Sequence, residues 1–529
     1  MKVTAIHRKN TGYFSQQQLD MCYNQQHYAK FIAQPFSVAA FEQQLLVKKN
    51  AYSMEMRQQL VQAIKQQYAN IALSDKVAHH LDLLAKENTF TVVTGHQLVA
   101  MTGPLYFIYK IAHVVRMCTE LSQKYTDSQF VPVFWMATED HDYEEIKSFH
   151  LFNRTLTWET TQKGPVGRFD LTGWQEVLDQ LKELFASHPQ SDVFAWMEQL
   201  KGDNYAAAFR RLVNFLFEKY GVVIIDGDDA QLKQAFVLIM QKEVLEQFAF
   251  PAIRATTERL VVHGGKQQVM PREYNLFYIE NGMRERLIPK GDAIEIPQKG
   301  IFSKQEVAEW IARSPQNFSP NASMRPLYQE VLLPNLCYIG GAGEINYWLQ
   351  LKGVFDAVDV PFPLLKTRNS LLWIDAATQG KMEQLGWTTD DLFKETHQLT
   401  AAYLEKNAGD AIDFSPIQAH VEVLKNTVIE TFHSAEPSMD SYVMAELVKL
   451  DKQMKQLEDQ LVKASKRQHE KALKTIKQVK ERLFPAGGLQ ERTTNFLQLA
   501  PDGNFKPLID AIVASIQPFS DDFLVVEEK

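Results

Sequence analysis

The stretch FTVVTGHQLVAMTGPLYFIYK, residues 90–110, contains the pattern that decides the fold. Residues 90–93 are aromatic or mostly β-branched and run into Thr94-Gly95, which predicts a strand that ends in a turn. The pair Gly103-Pro104 follows, and residues 105–121 then predict a helix. A strand, a polar loop and a helix in this order form the building unit of a parallel α/β sheet.

The same unit recurs along the chain. Each repeat is an apolar run followed by a polar or glycine-rich loop: 130–136 with 138–142, 222–225 with 226–228, and 336–339 with 340–344. This alternation predicts an α/β fold with a parallel sheet. Because ligands bind at the carboxyl ends of the strands in such sheets, we expect the loops to meet on one rim.

The chain of 529 residues is too long for one ordinary core and predicts several structural units. Residues 15–85 are rich in Gln, Leu, Ala and Lys, which predicts helices. The region of about 150–330 interrupts the strand–helix alternation, so we expect inserted subdomains there. We therefore predict a catalytic core over residues 1–385.

A different, helical pattern covers residues 386–505. Apolar side chains recur at steps of three and four between charged faces, as in Leu447, Leu450, Met454, Leu457 and Leu461. The segment Ser-Ala-Glu-Pro-Ser at 434–438 should separate two such arms. We predict an antiparallel helical coiled coil over 386–505 and a C-terminal segment over 506–529.

Composition and charge exclude several classes of protein. The net charge of -8 argues against nucleic acid as a main partner. The sequence has neither an apolar stretch of membrane-spanning length nor a secretory signal near Met1, so we expect a soluble cytoplasmic protein. The widely spaced Cys22, Cys118 and Cys337 fit neither a disulfide framework nor a zinc site, and we expect no metal.

The first candidate site is the loop that contains Gly95, His96 and Gln97 and continues to Gly103. A glycine-rich loop that leads into a helix suits an anion, and His96 could donate to a phosphate or carboxylate. The alternative is that the glycines only shape a turn and that His96 is a polar surface residue.

The second candidate site is the acidic run that contains Asp140, His141 and Asp142. A histidine between carboxylates is suited to acid–base work, because a neighbouring carboxylate can fix its tautomer and raise its pKa. Two alternatives are a divalent metal site and a solvated acidic helix start. The position directly after an apolar strand favours a functional role.

The third candidate site combines Arg325 with the glycine-rich loop before Glu344. Arg325 offers two parallel donors to a carboxylate or phosphate, and Glu344 could hold an amine. Arg325 could instead pair with a structural carboxylate. Tyr347 lies nearby, although aromatic residues in such positions more often belong to a core.

Two further groups are basic. Residues 366–370, Lys-Thr-Arg-Asn-Ser, contain Arg368 and Ser370 and could neutralise phosphate charge, although a solvated basic turn is nearly as good an explanation. Arg272, Arg284 and Arg286 are better explained as surface residues.

Long motifs resemble one known family. TGHQLVAMTGPLYFIYK at 94–110, PVFWMATEDHDYEEI at 132–146 and RPLYQEVLLPNLCYIGGAGEINYW at 325–348 are similar to signatures of the bacillithiol biosynthesis cysteine-adding enzymes. The resemblance implies a Rossmann-type core related to class I nucleotidyltransferases, with connecting subdomains and a coiled coil that makes a homodimer. It also implies a ligase that joins L-cysteine, through its carboxyl group, to the amine of glucosaminyl malate.

The resemblance also concerns nucleotides. Amide formation from a free carboxylate needs an activated acid, so ATP is the expected driver, and members of the family hold ADP near the coiled coil. Class I adenylating enzymes bind ATP phosphates with a His-x-x-His motif. Here Tyr106 and Tyr109 stand where those histidines would be, which leaves the nucleotide site open.

Together these patterns predict a rim of mixed charge. The residues expected to do acid–base or catalytic work are His141, Asp140, Asp142 and His96. Those expected to bind substrate are Gln97, Gly103, Arg325, Glu344, Tyr347, Arg368 and Ser370. Two alternative functions are a nucleotidyltransferase-like enzyme of other specificity and a non-catalytic coiled-coil scaffold that retains a ligand pocket.

Overall fold

The computed structural model describes residues 1–408 and 414–528, and the chain divides into two compact units. The core unit comprises residues 2–372 and 488–526, and the helical unit comprises Trp373–Gly487 with Met1 and the residues from Glu527 onward. Residues 488–505 therefore belong to the core unit, whereas the sequence pattern grouped them with the coiled coil.

The strands of the described residues are short. In chain order they are β1 (Lys2–Ile6), β2 (Thr89–His96), β3 (Gln129–Met136), β4 (Ser148–Leu151), β5 (Arg154–Thr157), β6 (Val223–Asp226), β7 (Leu276–Glu280), β8 (Met283–Arg286), β9 (Ile288–Lys290), β10 (Ala293–Ile296), β11 (Gly300–Ser303), β12 (Phe318–Pro320), β13 (Asn335–Gly340), β14 (Leu364–Thr367), β15 (Ser370–Ile374) and β16 (Phe523–Glu527).

The α-helices of the described residues confirm the helices expected within 15–85 and after Pro104. In chain order they are α1 (Gln16–Tyr23), α2 (Ala40–Ala51), α3 (Met54–Gln67), α4 (Asp75–Leu84), α5 (Tyr106–Lys124), α6 (Tyr143–Ile146), α7 (Trp174–Leu184), α8 (Asp192–Met197), α9 (Tyr205–Phe217), α10 (Ala230–Gln234), α11 (Val237–Glu246), α12 (Ala249–Val262), α13 (Lys304–Arg313), α14 (Arg325–Leu332), α15 (Ala342–Trp348), α16 (Lys352–Asp356), α17 (Ala376–Leu385), α18 (Thr396–Ala408), α19 (Ser415–Ala435), α20 (Asp440–Gln468), α21 (Glu470–Leu483) and α22 (Lys506–Ser515).

A five-stranded parallel sheet forms the centre of the core unit, with the order β14-β13-β2-β3-β6. The first of these strands along the chain, β2, lies in the middle, and the later strands extend from it in both directions. This is the strand order of a Rossmann-type sheet, so the predicted fold class is confirmed. The order reverses between β2 and β13, which is where ligands bind in such sheets.

The central strands are apolar on both faces because a parallel sheet is covered by helices. The side chains of β2 from Thr89 to Gly95 are buried, as are those of β3 from Phe130 to Met136. Helix α5 packs on both strands, and its buried Val114, Met117 and Leu121 join Phe90 in one hydrophobic cluster.

Three of the smaller sheets among the described residues lie between β3 and β13 in the chain. Strands β4 and β5 form a hairpin, β12-β7-β8 form one antiparallel sheet and β11-β10-β9 form another. This mixture of elements accounts for the interrupted alternation in the sequence.

The helical unit contains a long antiparallel hairpin. Helix α19 ends at Ala435 and α20 begins at Asp440, with Pro437 in the connection, so the predicted break is confirmed. Lys425, ten residues before the end of α19, forms an ion pair at 2.9 Å with Asp451, eleven residues after the start of α20. Such symmetric pairing about a short turn requires antiparallel helices. In the described part of the chain, no helix is both long enough and apolar enough to cross a membrane.

Candidate active site

A cavity of about 580 Å³ opens at the switch point between β2 and β13. It brings together most of the residues that the sequence singled out. Those that line it are His96, Gln97, Asp140, His141, Arg325, Glu344 and Tyr347. They come from the loops after β2 and β3 and from α14 and α15, so distant segments meet at one edge of the sheet. Their chemical roles stay predictions.

An ion pair between the buried Lys110 and the partly exposed Glu344 joins the two strands at the switch point. Lys110 of α5 donates to the carbonyl oxygen of Gly95 and, at 2.8 Å, to Oε1 of Glu344. Oε2 of Glu344 accepts the N–H of Gly341 at 2.7 Å, which fixes the carboxylate at the start of α15. Burial by itself would raise the pKa of Glu344, but Lys110 and His96 outweigh it and hold that pKa below its ordinary value. Glu344 is therefore a carboxylate at neutral pH.

His96 is a neutral imidazole. Burial, assisted by the charge of Lys110, lowers the pKa of His96 to about 4. Its Nδ1 lies 3.0 Å from the carbonyl oxygen of Gln97, which can only accept, so Nδ1 carries the proton and Nε2 is left as an acceptor. The expectation that His96 donates to an anion is therefore wrong for Nε2, which instead suits a donor such as an amine.

His141 is also neutral, contrary to the sequence-based expectation. Nη1 of Arg284 donates to Nδ1 of His141 at 2.9 Å. Burial and the charge of Arg284 lower the pKa of His141 in spite of Asp140 and Asp142, so the expected rise is wrong. The distance of 3.8 Å between Nδ1 and Oδ1 of Asp140 is too long for a hydrogen bond.

Asp140 serves mainly to join two loops. Its Oδ1 accepts the N–H of His141 at 2.7 Å and that of Asp142 at 3.3 Å, which closes a local turn. Its Oδ2 accepts from Nε2 of Gln97 at 2.7 Å, and Gln97 also donates to Glu145 at 3.1 Å. The loops after β2 and β3 are thus linked on the cavity wall.

Arg325 has neutral partners. Its Nη1 donates to Oε1 of Gln329 at 3.2 Å, and Tyr347 lines the same cavity. Within residues 1–408 and 414–528, no carboxylate forms an ion pair with Arg325. The alternative of a structural carboxylate partner is therefore not what the structure shows, and the guanidinium retains its charge for an anion.

Sequence reasoning missed the other arginines of the cavity. Arg272, Arg284 and Arg286 line it, although the sequence favoured a surface role for each. The guanidinium of Arg284 stacks on the ring of Phe277 at 3.9 Å. A signal was available: Arg284 and Arg286 alternate along β8, so they share one face of the strand.

Four predicted residues lie elsewhere than on the cavity wall: Gly103, Asp142, Arg368 and Ser370. Arg368 is buried and bonds Glu491 through both Nη atoms, at 2.9 and 2.8 Å. Ser370 is a buried residue at the start of β15, and Lys366 is buried against Asp521 at 2.7 Å. The stretch 366–370 is thus interior rather than a basic surface loop, and binding roles for Arg368 and Ser370 have no support from this geometry.

Gly103 acts through the backbone. Its φ is +61°, and its carbonyl oxygen accepts from Nδ2 of Asn495 at 2.7 Å. Asn495 and Glu491 thereby attach residues 488–505 to the core unit. Tyr106, at the expected nucleotide motif, lies between the ring of His96 at 5.3 Å and the guanidinium of Arg368 at 5.6 Å.

The three cysteines are buried, and burial raises the pKa of each thiol. None of Cys22, Cys118 and Cys337 is among the residues that line the cavity. Across the described ranges, no three His, Cys, Asp or Glu side chains form a group that could hold a metal ion.

Two family models match nearly the whole chain. Residues 1–369 match "Bacillithiol biosynthesis BshC, N-terminal Rossmann-like domain", and residues 371–528 match "Bacillithiol biosynthesis BshC, C-terminal coiled-coil domain". The chain belongs to the BshC family. The resemblance inferred from the sequence motifs is therefore confirmed.

Relatives in the BshC family align along the full length. A protein of Flavobacterium johnsoniae named "Putative cysteine ligase BshC" is 39% identical over 99% of this chain and 100% of its own. One of the same name from Flavobacterium psychrophilum is 36% identical over 100% of both chains. A third, from Bacillus cytotoxicus, is 24% identical over 86% of this chain and 88% of its own.

The nucleotidyltransferase relation stays a prediction. A solved structure titled as an arginyl-tRNA synthetase from Campylobacter jejuni covers 88% of this chain and 96% of its own at 10% identity, with a TM-score of 0.21. A score this low carries no argument about a BshC chain.

Proposed function

We propose that this BshC-family chain is a ligase that joins L-cysteine to glucosaminyl malate in the last step of bacillithiol biosynthesis. Full-length relatives that bear the name of cysteine ligase support the reaction class. The observation that carries the proposal is a cavity in which carboxylates, two neutral imidazoles and several guanidinium groups face one another.

The charges of the substrates match this cavity. Glucosaminyl malate carries two carboxylates and an ammonium group, and cysteine is a zwitterion. Arg325 and Arg286 have no carboxylate partner among the described residues, so they can hold substrate carboxylates, and Glu344 can hold an ammonium group. A site of one charge sign would not accept both substrates.

His96 has the protonation state that amide formation requires. The glucosamine ammonium first releases one proton to solvent. The resulting amine attacks the activated cysteine carbonyl, a C–N bond forms, the activating group leaves and the nitrogen loses its second proton. The unprotonated Nε2 of His96 can accept that proton because the ring is neutral. Glu344, held by Lys110, then stabilises the imidazolium that forms.

ATP remains part of the proposal as the source of activation. Guanidinium groups also suit phosphate oxygens, so the arginine side of the cavity fits a nucleotide as well as a dicarboxylate. Exchange of labelled pyrophosphate into ATP that depends on cysteine would support adenylate formation. Exchange driven by a different acid would instead favour a nucleotidyltransferase of other specificity.

The central test is direct. We expect purified protein, incubated with glucosaminyl malate, L-cysteine and ATP, to form the thiol product, as detected by mass spectrometry. Arg325→Ala should lower kcat/KM by about 10- to 100-fold, because a charged hydrogen-bond partner of the substrate is lost. Arg154→Ala, at an exposed position of β5, is the matched control. Absence of product from the unaltered protein with each nucleotide would refute the function.

We also propose that the protein is cytoplasmic and forms a homodimer through its coiled coil. Helices α19 and α20 leave large apolar side chains exposed to solvent: Ile417, Val423, Leu424, Phe432, Tyr442, Met444, Val448 and Leu457. We expect Val448→Glu to shift the protein to monomer in multi-angle light scattering, and Lys455→Glu, an exposed charge change on the same helix, to leave the mass unchanged. Monomeric unaltered protein would exclude dimerisation.

A further inference from the structure

A buried acidic residue outside the cavity, Glu243, is connected through hydrogen bonds to segments that form two walls of the cavity. Glu243 of α11 is fully buried. Its Oε1 accepts both the N–H and the Nδ2–H of Asn275 at 2.9 Å, and its Oε2 accepts the N–H of Ala249 at 3.1 Å. Burial raises the pKa of Glu243 to about 7, and its two oxygens accept from three donors. Three donors on one buried carboxyl group form a rigid anchor, because losing any partner leaves a buried polar group unsatisfied.

Asn275 connects Glu243 to the loop before β7 through hydrogen bonds to Arg272. Its Nδ2 donates to the carbonyl oxygen of Arg272 at 2.7 Å, and its Oδ1 accepts the N–H of Arg272 at 3.3 Å. The backbone of Arg272 is therefore fixed by one fully buried amide. The side chain of Arg272 lines the cavity.

Asn275 is also hydrogen-bonded to Asn321, which lies just before the start of α14. Nδ2 of Asn321 donates to Oδ1 of Asn275 at 2.9 Å, and the backbone N–H of Asn321 donates to the carbonyl oxygen of Asn275 at 3.0 Å. Oδ1 of Asn321 accepts the backbone N–H of Ser323 at 2.9 Å. The backbone carbonyl oxygen of Asn321 accepts the N–H of Arg325 at 2.8 Å. The position of Arg325 thus depends on Asn275.

We propose that Glu243 and Asn275 are positioning residues that set the spacing of Arg272 and Arg325 across the cavity. Neither residue lines the cavity, so both act through the two arginines. The pair thereby determines which separation of carboxylates the site accepts, and this part of the inference rests on the proposed function. The spacing itself is a property of the protein alone.

The first experiment tests, without any substrate, whether Glu243 and Asn275 hold the two arginines in place. Phenylglyoxal modifies arginine side chains, and peptide mass spectrometry gives the rate at each site. Glu243→Gln replaces one acceptor oxygen by an NH₂ group that faces N–H donors, so we expect the rates at Arg272 and Arg325 to rise together by about 3-fold or more. The exposed Arg254 provides an internal reference.

A second variant of the anchor and a control variant complete this test. Asn275→Asp has the same shape as asparagine but turns an oxygen toward Glu243, and it should raise the same two rates. Glu246→Gln removes an exposed carboxylate from the same helix and should change neither. Circular dichroism identifies any variant that has lost its fold. Unchanged labelling of Arg272 and Arg325 in a folded Glu243→Gln or Asn275→Asp protein would overturn the proposal.

The second experiment connects spacing to substrate. In Asn275→Asp we expect the KM for glucosaminyl malate to rise about 10-fold or more, with a smaller change in the KM for L-cysteine, because misplaced binding groups weaken recognition. A general loss of structure would instead lower kcat with both KM values unchanged, and that result would count against positioning. If the unaltered protein forms no product, the ligase function fails, and the labelling experiment still decides the positioning role.

Discussion

Single residues determine the chemistry of the cavity through their protonation states. His96 and His141 are both neutral because burial and a neighbouring cation, Lys110 in one case and Arg284 in the other, disfavour the imidazolium form. Glu344 stays ionised because Lys110 is within hydrogen-bond distance. Lys110 therefore acts on both groups: it adds to the effect of burial on His96, and it keeps Glu344 ionised.

Replacing Lys110 by methionine tests this dependence. Lys110→Met keeps the length of the side chain but removes the cation that pairs with Glu344, whose side chain is 28% exposed on the cavity wall. We expect the free energy of unfolding to fall by about 1–3 kcal/mol in denaturant titration, the usual cost of leaving a partly buried charged group without its hydrogen-bond partner. Lys124→Met, at the exposed end of the same helix, should change it by less than about 0.5 kcal/mol. Equal stability of the two variants would contradict this role for Lys110.

At the scale of elements, the connection between β2 and α5 orients the first crossover helix. Gly103 adopts a φ of +61°, and a Cβ atom there would lie 2.6 Å from Cγ1 of Val99. The loop is also held by Asn495, whose Nδ2 donates to the carbonyl oxygens of Met101 and Gly103. The glycine is thus required by both conformation and space.

The expected result for Gly103→Ala is a loss of about 2 kcal/mol in the free energy of unfolding, because the new methyl group is strained at this φ and meets Val99. Chemical denaturation provides the measurement. Gly380→Ala is the matched control, since Gly380 lies within α17 with open space around its Cα. Alanine there should stabilise the helix by up to about 1 kcal/mol. An unchanged free energy of unfolding in Gly103→Ala would contradict the requirement for glycine, because it would show that the loop can adjust to a methyl group.

At the scale of the whole molecule, buried neutral histidines make stability depend on pH. His113 is fully buried: its Nδ1 accepts the N–H of Asn369 at 3.0 Å, and its Nε2 faces the carbonyl oxygen of Pro518 at 3.3 Å. Burial and the charge of Lys366 lower its pKa well below the ordinary 6.5. Below pH 6.5 the unfolded chain therefore binds a proton at His113 that the folded protein does not.

The sign of the effect follows from that difference in protons. The contribution of His113 to stability is present above pH 6.5 and is lost as the pH falls. Between pH 6 and pH 5, we expect His113→Gln to reduce the dependence of the unfolding free energy on pH by up to about 1.4 kcal/mol per pH unit. Denaturant titrations at several pH values measure this slope, with the exposed His397→Gln as control. An unchanged slope would contradict the assignment.

The sequence by itself determined the parallel sheet, the rim at its carboxyl edge and the break at Pro437, because these depend on apolar periodicity and turn residues that are local in the chain. It also placed His96, His141, Arg325 and Glu344 on that rim, since the ends of parallel strands must meet.

Only the tertiary structure decided the charges within the rim. The ion pair of Lys110 with Glu344 joins residues 234 positions apart, and the contact of Arg284 with His141 joins residues 143 apart. Arg272, Arg284 and Arg286 line the cavity, although they are distant in sequence from its other walls. Arg368 lies outside the cavity because it pairs with Glu491, which is also distant in sequence. Burial and pairing set a pKa, and neither can be obtained from a residue's neighbours in sequence, because both depend on which distant segments the fold packs together.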